Sequence, residues 1–147
     1  MEAVRPRPSA RVVFVASALA AAGMVVHDVV EFGPAFLLDP QAFIPLAIFA
    51  ILALLAARRS SGPVAWMALF VWAVVNLVGG GILSVLPLGF LPFQPEQTLS
   101  HYAVHAVYAV AELPLVAVAW AGVRATRPRR IVAAASEGQP SEDARSR

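Results

Sequence analysis

Four apolar stretches, each about as long as a bilayer is thick, dominate this chain of 147 residues. Hydrophobic residues make up 59% of the sequence and charged residues only 14%, a composition that is typical of integral membrane proteins. Backbone groups inside a bilayer need partners within the protein, so stretches of this length are predicted to be helices. The predicted spans cover residues 12–32, 40–57, 64–86 and 100–123.

The basic residues indicate how these spans are oriented. All eleven are arginines, and they lie in the leader of residues 1–11, at the turn containing Arg58 and Arg59, and from Arg124 onward. The other two connecting loops carry no arginine. The positive-inside rule then places leader, turn and tail in the cytoplasm. We therefore expect an all-α, four-helix antiparallel bundle in the plasma membrane, with both termini inside and residues 125–147 forming a disordered tail.

Partners and some function classes also follow from the composition. The basic pI reflects arginines at span ends, so it indicates a lipid bilayer rather than nucleic acid as the partner. A homo-oligomer or a larger membrane complex is compatible with the pattern. The absence of cysteine excludes disulfides, iron–sulfur clusters and cysteine nucleophiles. The sequence also lacks a phosphate loop and a dinucleotide fingerprint, which argues against an ordinary kinase or dehydrogenase.

The first apolar stretch has a second interpretation. Arginines precede it and alanine-rich triplets occupy residues 16–22, which is the pattern of a cleaved signal peptide. Its apolar character continues to Val30 with no polar segment after the supposed cleavage site. We therefore favour a retained membrane span.

Histidine and carboxylate residues collect near the predicted outer boundary. At about 1.5 Å per residue, His27 and His105 lie about 24 and 28 Å from the arginines at the inner ends of their spans. A separation of four residues puts two side chains on the same face of a helix. His27 and Glu31 form such a pair in the first span, and His101 and His105 form one in the fourth. The predicted metal ligands are His27, Glu31, His101 and His105, with Asp28 orienting one of the histidines.

Imidazole together with carboxylate suits a divalent transition metal: zinc, iron, manganese or copper. The protein is then a membrane metalloprotein or a subunit of a redox or transport complex, and the sequence leaves open whether it is an enzyme. Two alternatives also stay open. In the first, the cluster is only solvated and the protein is a structural or accessory subunit. In the second, His27 and His105 are the axial ligands of a haem b.

A second group of polar residues is predicted at mid-membrane. Asn76 and Glu112 each lie about 18 Å from the inner side, and Tyr108 lies between Glu112 and the outer cluster. A carboxylic acid at this depth costs about 2.5–3.5 kcal/mol on insertion scales, so Glu112 should face the bundle interior. These three residues are interpreted either as a proton path or as an interhelical polar contact.

Overall fold

The structure is a computed structural model, and it describes residues 6–89 and 95–127. Helices and loops account for this part of the chain, in which no strand occurs. A 3-10 helix, Pro34–Leu38, connects the first two α-helices, and the third continues as a π-helix, Asn76–Ile82, and a 3-10 turn, Leu83–Val85. The α-helices are α1 (Ala10–Phe32), α2 (Pro40–Ala57), α3 (Pro63–Val75) and α4 (Leu99–Thr126).

Four helical segments are long and apolar enough to cross a membrane, which confirms the prediction of an all-helical protein with four such spans. The third span is Pro63–Val85 and includes the π-helix and the 3-10 turn. Most of the predicted disordered tail, residues 128–147, and the first five residues of the leader lie outside the described residues. The helix α4 extends two residues into the predicted tail, ending at Thr126.

Polar side chains explain where three of the four α-helices begin, and α3 begins with Pro63 after Gly62, without a side-chain cap. The Asp39 carboxylate accepts a hydrogen bond from the backbone N–H of Gln41 at 2.8 Å, and Pro40 occupies the first helical position, as predicted. Ser9 and Thr98 cap α1 and α4 in the same way. Because these caps precede the apolar runs, α1 begins two residues earlier than predicted and α4 one residue earlier.

Helices α1 and α4 pack together through small residues. A Cβ built on Gly23 would lie 2.5 Å from the Cβ of Ala111, so glycine is what allows this close approach. Further along α1, His27 contacts His105 and Glu31 contacts His101. Residues later in α1 therefore contact residues earlier in α4.

The arginine-bearing end of the bundle has a tightly packed aromatic core. The indole of Trp66 is 1% exposed, and its Nε1 donates to the Ser61 hydroxyl at 3.1 Å. The Arg7 guanidinium donates to the backbone carbonyl of Ser61 at 3.1 Å and to that of Arg59 at 3.3 Å. Leader and Arg58–Arg59 turn therefore meet at the same end of the molecule. Gly122 lies directly against the Trp66 ring, which a Cβ would approach to 1.9 Å.

Gly122→Ala is expected to destabilise the protein because the buried Trp66 ring has no room to move away. Overpacking of a filled core typically costs about 1–3 kcal/mol. The free energy of unfolding in bicelles measures this loss. Gly79→Ala is the matched control, since a Cβ at Gly79 meets nothing within 4 Å. Equal stability of the two variants would show that Trp66 does not restrict this contact.

Candidate metal centre

Three helical segments meet at the end of the bundle opposite the arginine turn. Helix α1 contributes His27 and Glu31 from its last two turns, and α4 contributes His101 and His105 from its first two. The Thr98 cap fixes the start of α4, since its side chain accepts from the backbone N–H of His101 at 3.3 Å. The π-helix completes the site from the third side.

The π-helix supplies a backbone carbonyl to His105. The Nδ1 atom of His105 donates to the carbonyl oxygen of Gly80 at 2.7 Å. The Ser84 hydroxyl also donates to that carbonyl, and its oxygen lies 3.1 Å from His105 Nδ1. Glycine is required at position 80, because a Cβ there would lie 2.5 Å from Cε1 of Tyr108. This local departure from α-helix lets the third span touch α4 at the site.

All three histidines have Nδ1 hydrogen-bonded to a backbone or carboxylate oxygen. His27 Nδ1 is 2.9 Å from Oδ1 of Asp28, and His101 Nδ1 is 3.0 Å from Oε1 of Glu31. Carbonyl and ionised carboxylate oxygens only accept hydrogen bonds, so each Nδ1 carries the hydrogen. An imidazole that is neutral and held in this way presents a lone pair on Nε2. Metal-binding histidines are commonly oriented by this arrangement.

Two of these Nε2 atoms face each other across the α1–α4 contact. His27 Nε2 lies 3.2 Å from His105 Nε2, and the centroids of the two rings are 4.4 Å apart. Facing lone pairs repel unless a cation, either a proton or a metal ion, lies between them. Two imidazoles bound to one zinc at about 2.0–2.1 Å in tetrahedral geometry have nitrogens about 3.3 Å apart. The observed separation therefore suits a shared metal ion.

Two further residues of the predicted ligand set, His101 and Glu31, lie beside His105. Glu31, His101 and His105 each offer a donor atom within 4.8 Å of the other two. Ligand atoms around a tetrahedral zinc ion are about 3.3 Å apart, so these three side chains would have to move closer together to share one ion. The Nε2 atom of His101 is buried and has no hydrogen-bond partner among the described residues. His27 joins the group through its contact with His105.

Exposure changes steadily across the cluster. The side chains of His101 and His27 are 8% and 14% exposed, and that of Glu31 is 20% exposed. His105, which lies deepest, is 3% exposed as a whole residue. The cluster is thus open at the Glu31 end and closed beneath His105.

The hydrogen bonds among the mid-membrane residues differ from what depth alone suggests. Asn76 and Glu112 have the same predicted depth, but they are not hydrogen-bonded to each other. The Tyr108 hydroxyl donates to Oδ1 of Asn76 at 2.8 Å, and Nδ2 of Asn76 donates to the Trp72 carbonyl at 2.8 Å. Glu112 is 0% exposed, and neither of its carboxyl oxygens has a hydrogen-bond partner within residues 6–89 and 95–127. Tyr108, and not Glu112, therefore makes the interhelical contact with Asn76.

Comparison with protein-family models, with curated proteins and with solved structures gives no match to this chain. The interpretation of the site therefore depends on its own residues. Sequence reasoning missed two of them, Gly80 and Ser84, which hold His105. Their position at the outer end of the third span, four residues apart, was the available signal for both.

The Tyr108–Asn76 contact predicts a measurable coupling between α4 and the third span. Interhelical hydrogen bonds in membranes are worth on average about 0.6 kcal/mol and up to about 1.7 kcal/mol. A double-mutant cycle with Tyr108→Phe and Asn76→Leu should give a coupling in this range, measured as free energy of unfolding. Tyr102→Phe is the control on the exposed face of α4. Additive effects of the two substitutions would contradict the contact.

Proposed function

We propose that the protein is a membrane metalloprotein that binds one divalent transition-metal ion at the outer end of its helical bundle. The proposed ligands are His101, His105 and Glu31, with His27 completing the set beside His105, and Glu31 binds through Oε2 because its Oε1 accepts from His101. The single observation that carries this proposal is the arrangement of the imidazoles. Each Nδ1 is held by an oxygen acceptor, and this turns the Nε2 lone pairs of His27 and His105 towards one point.

The charges of the cluster suit a divalent ion. Glu31 and Asp28 together contribute two negative charges when ionised, and the imidazoles are neutral when they bind metal. A bound 2+ ion is thereby neutralised near the membrane boundary, where an unbalanced charge is costly. Three imidazoles and one carboxylate select zinc, iron, manganese or copper and disfavour calcium and magnesium, which prefer oxygen ligands.

For the topology, we propose an antiparallel bundle in the plasma membrane with both termini in the cytoplasm. The opposite residue order along the α1–α4 contact supports this arrangement. The contact of Arg7 with the turn at Arg59 and Ser61 supports placing leader and turn on one side. The positive-inside rule assigns that side to the cytoplasm, and the metal centre then faces outward.

The role of the metal is proposed as part of a redox or transport function. A metal bound only by residues at the mouth of a bundle, partly open to the outer side, is accessible to an ion or electron carrier. The alternative is an accessory subunit in which the same histidines serve only as hydrogen-bonding groups. Absence of bound metal together with full stability of the histidine variants would favour that alternative.

Haem b is a weaker candidate on geometric grounds. Two axial imidazoles at ordinary metal–nitrogen distances lie about 4 Å apart with the porphyrin plane between them. The Nε2 atoms of His27 and His105 are 3.2 Å apart, and their rings are in direct contact. This pair is therefore closer than a haem between them requires.

Protein purified without chelators is expected to contain one metal ion per chain, and His105→Ala to lose it. His105 is the residue that contacts both His27 and the glycine carbonyl, so its removal eliminates a ligand and the centre of the cluster. Elemental analysis with an absorption spectrum measures this directly. A Soret band would identify haem instead, and absence of both metal and haem from the native protein would overturn the metal proposal.

Graded variants separate ligands from orienting groups. Asp28→Asn keeps all four proposed ligands but weakens the acceptor for His27 Nδ1. Loss of such an orienting partner typically costs about 10–100-fold in metal affinity, so this variant should bind weakly rather than not at all. Glu96→Gln, which changes an exposed carboxylate in the outer loop, should bind like the native protein.

Single cysteines test the proposed topology, because the native chain has none. Ser60→Cys lies in the arginine turn, and Gln97→Cys lies just before α4. In intact cells, a membrane-impermeant maleimide should label Gln97→Cys, whereas Ser60→Cys should react only after the membrane is opened. The reverse pattern would contradict the orientation, and labelling of both residues from outside would contradict the number of spans between them.

A further inference from the structure

Glu112 is a buried acid that the metal centre does not use. It lies seven residues, or about two helical turns, from His105, and its side chain is fully enclosed. Both carboxyl oxygens lack a hydrogen-bond partner in the part of the chain that the structure describes. No other glutamate within residues 6–89 and 95–127 is buried.

No cation in the described part of the protein is available to neutralise this carboxyl group. Helix α2 contains no titratable residue between Asp39 and Arg58, and the third span offers the neutral amide of Asn76. Helix α1 packs against this part of α4 through Gly23. The titratable group one turn away on α4 is the Tyr108 hydroxyl, which is bonded to Asn76. A carboxyl group in such surroundings is stable only as the neutral acid, because an isolated charge is not tolerated there.

The two sides of Glu112 differ in polarity. Towards the metal centre lie Tyr108, which donates to Asn76, and then Ser84 and His105, which both bond to the Gly80 carbonyl. The Tyr108 ring lies against Gly80, so these two groups are in contact. Towards the arginine-bearing end, α4 buries only apolar or small residues. The facing parts of α1 and α3 are also apolar, apart from the Ser17 hydroxyl. The buried residues on that side include Val13, Ala16, Leu69, Leu115 and Ala119.

We propose that Glu112 is an intramembrane proton-binding site that exchanges its proton with the outer side only. The bound species is a proton, and the protonated Glu112 side chain is a neutral carboxylic acid. It lies at the inner end of the polar side chains that lead to the metal centre. The exchange route runs past the Tyr108 hydroxyl, which lies one turn nearer the outside and donates to Asn76. The packed apolar layer beneath Glu112 separates it from the cytoplasmic side. This inference concerns a second site and does not depend on metal binding.

Infrared spectroscopy of the protein in lipid nanodiscs tests the protonation directly. At neutral pH the native protein should show the C=O stretch of a protonated carboxylic acid, and Glu112→Gln should lose it. Glu96→Gln, which alters an exposed acid, should keep the band. If Glu112→Gln does not fold, labelling of glutamate but not aspartate with carbon-13 identifies the same band in the native sequence. Absence of the band would mean that Glu112 is ionised, and the proposal would fail.

Transfer to D2O tests exchange and the route. The band should shift as the proton is replaced by a deuteron, and Tyr108→Phe should slow this shift on the order of 100-fold, the contribution of a positioned proton-transfer group. Tyr102→Phe, on the exposed face of α4, should exchange at the native rate. A band that never shifts would show a sealed structural acid. A Tyr108→Phe variant that exchanges at the native rate would rule out the outer route. Either result would overturn the proposal.

Discussion

A polar side chain inside a bilayer must find its partner within the protein, and the polar stripe of α4 imposes this condition on the whole bundle. His101, His105, Tyr108 and Glu112 share one face of a single helix, and all four are buried. Lipid cannot satisfy them, so α1 and the third span must cover this face. Both α1 and the third span have residues that can contact this polar face. Helix α1 brings carboxylates and a close glycine contact, and the third span brings an amide and a glycine run.

The backbone of the π-helix also supplies a hydrogen-bond partner for the polar face of α4. An ordinary α-helix uses its own carbonyls, and little acceptor capacity remains for a neighbouring helix. In the glycine run, the Gly80 carbonyl receives both the Ser84 hydroxyl and the imidazole of His105. The missing side chain lets the Tyr108 ring lie directly against the backbone. Three glycines weaken a helix, but here they are offset by contacts that only a bare backbone can make.

The spans were predictable from sequence because length and apolarity decide them. The bounds of α2 match the prediction at both ends, since Asp39, Pro40 and the arginine turn mark them chemically. The set of outer residues was also predictable, because counting residues from the arginines gives an approximate depth. The hydrogen bond between Tyr108 and Asn76 at mid-membrane was not predictable. Tyr108 and Glu112 differ in depth by only about 6 Å, and a tyrosine side chain bridges that interval. The π-helix was unpredictable for a related reason, because a glycine run is equally compatible with a break and with close packing.

The tautomers of the histidines show what the cluster requires. Each Nδ1 donates to an oxygen that cannot donate in return, so a neutral His27 and a neutral His105 would face each other with two Nε2 lone pairs 3.2 Å apart. A proton or a metal ion between them would relieve this repulsion, and the nearby carboxylates of Asp28 and Glu31 would balance its charge. The same reasoning separates this site from Glu112, whose oxygens have no hydrogen-bond partner within residues 6–89 and 95–127. One end of the polar stripe thus carries imidazoles and carboxylates side by side, and the other carries a single enclosed acid.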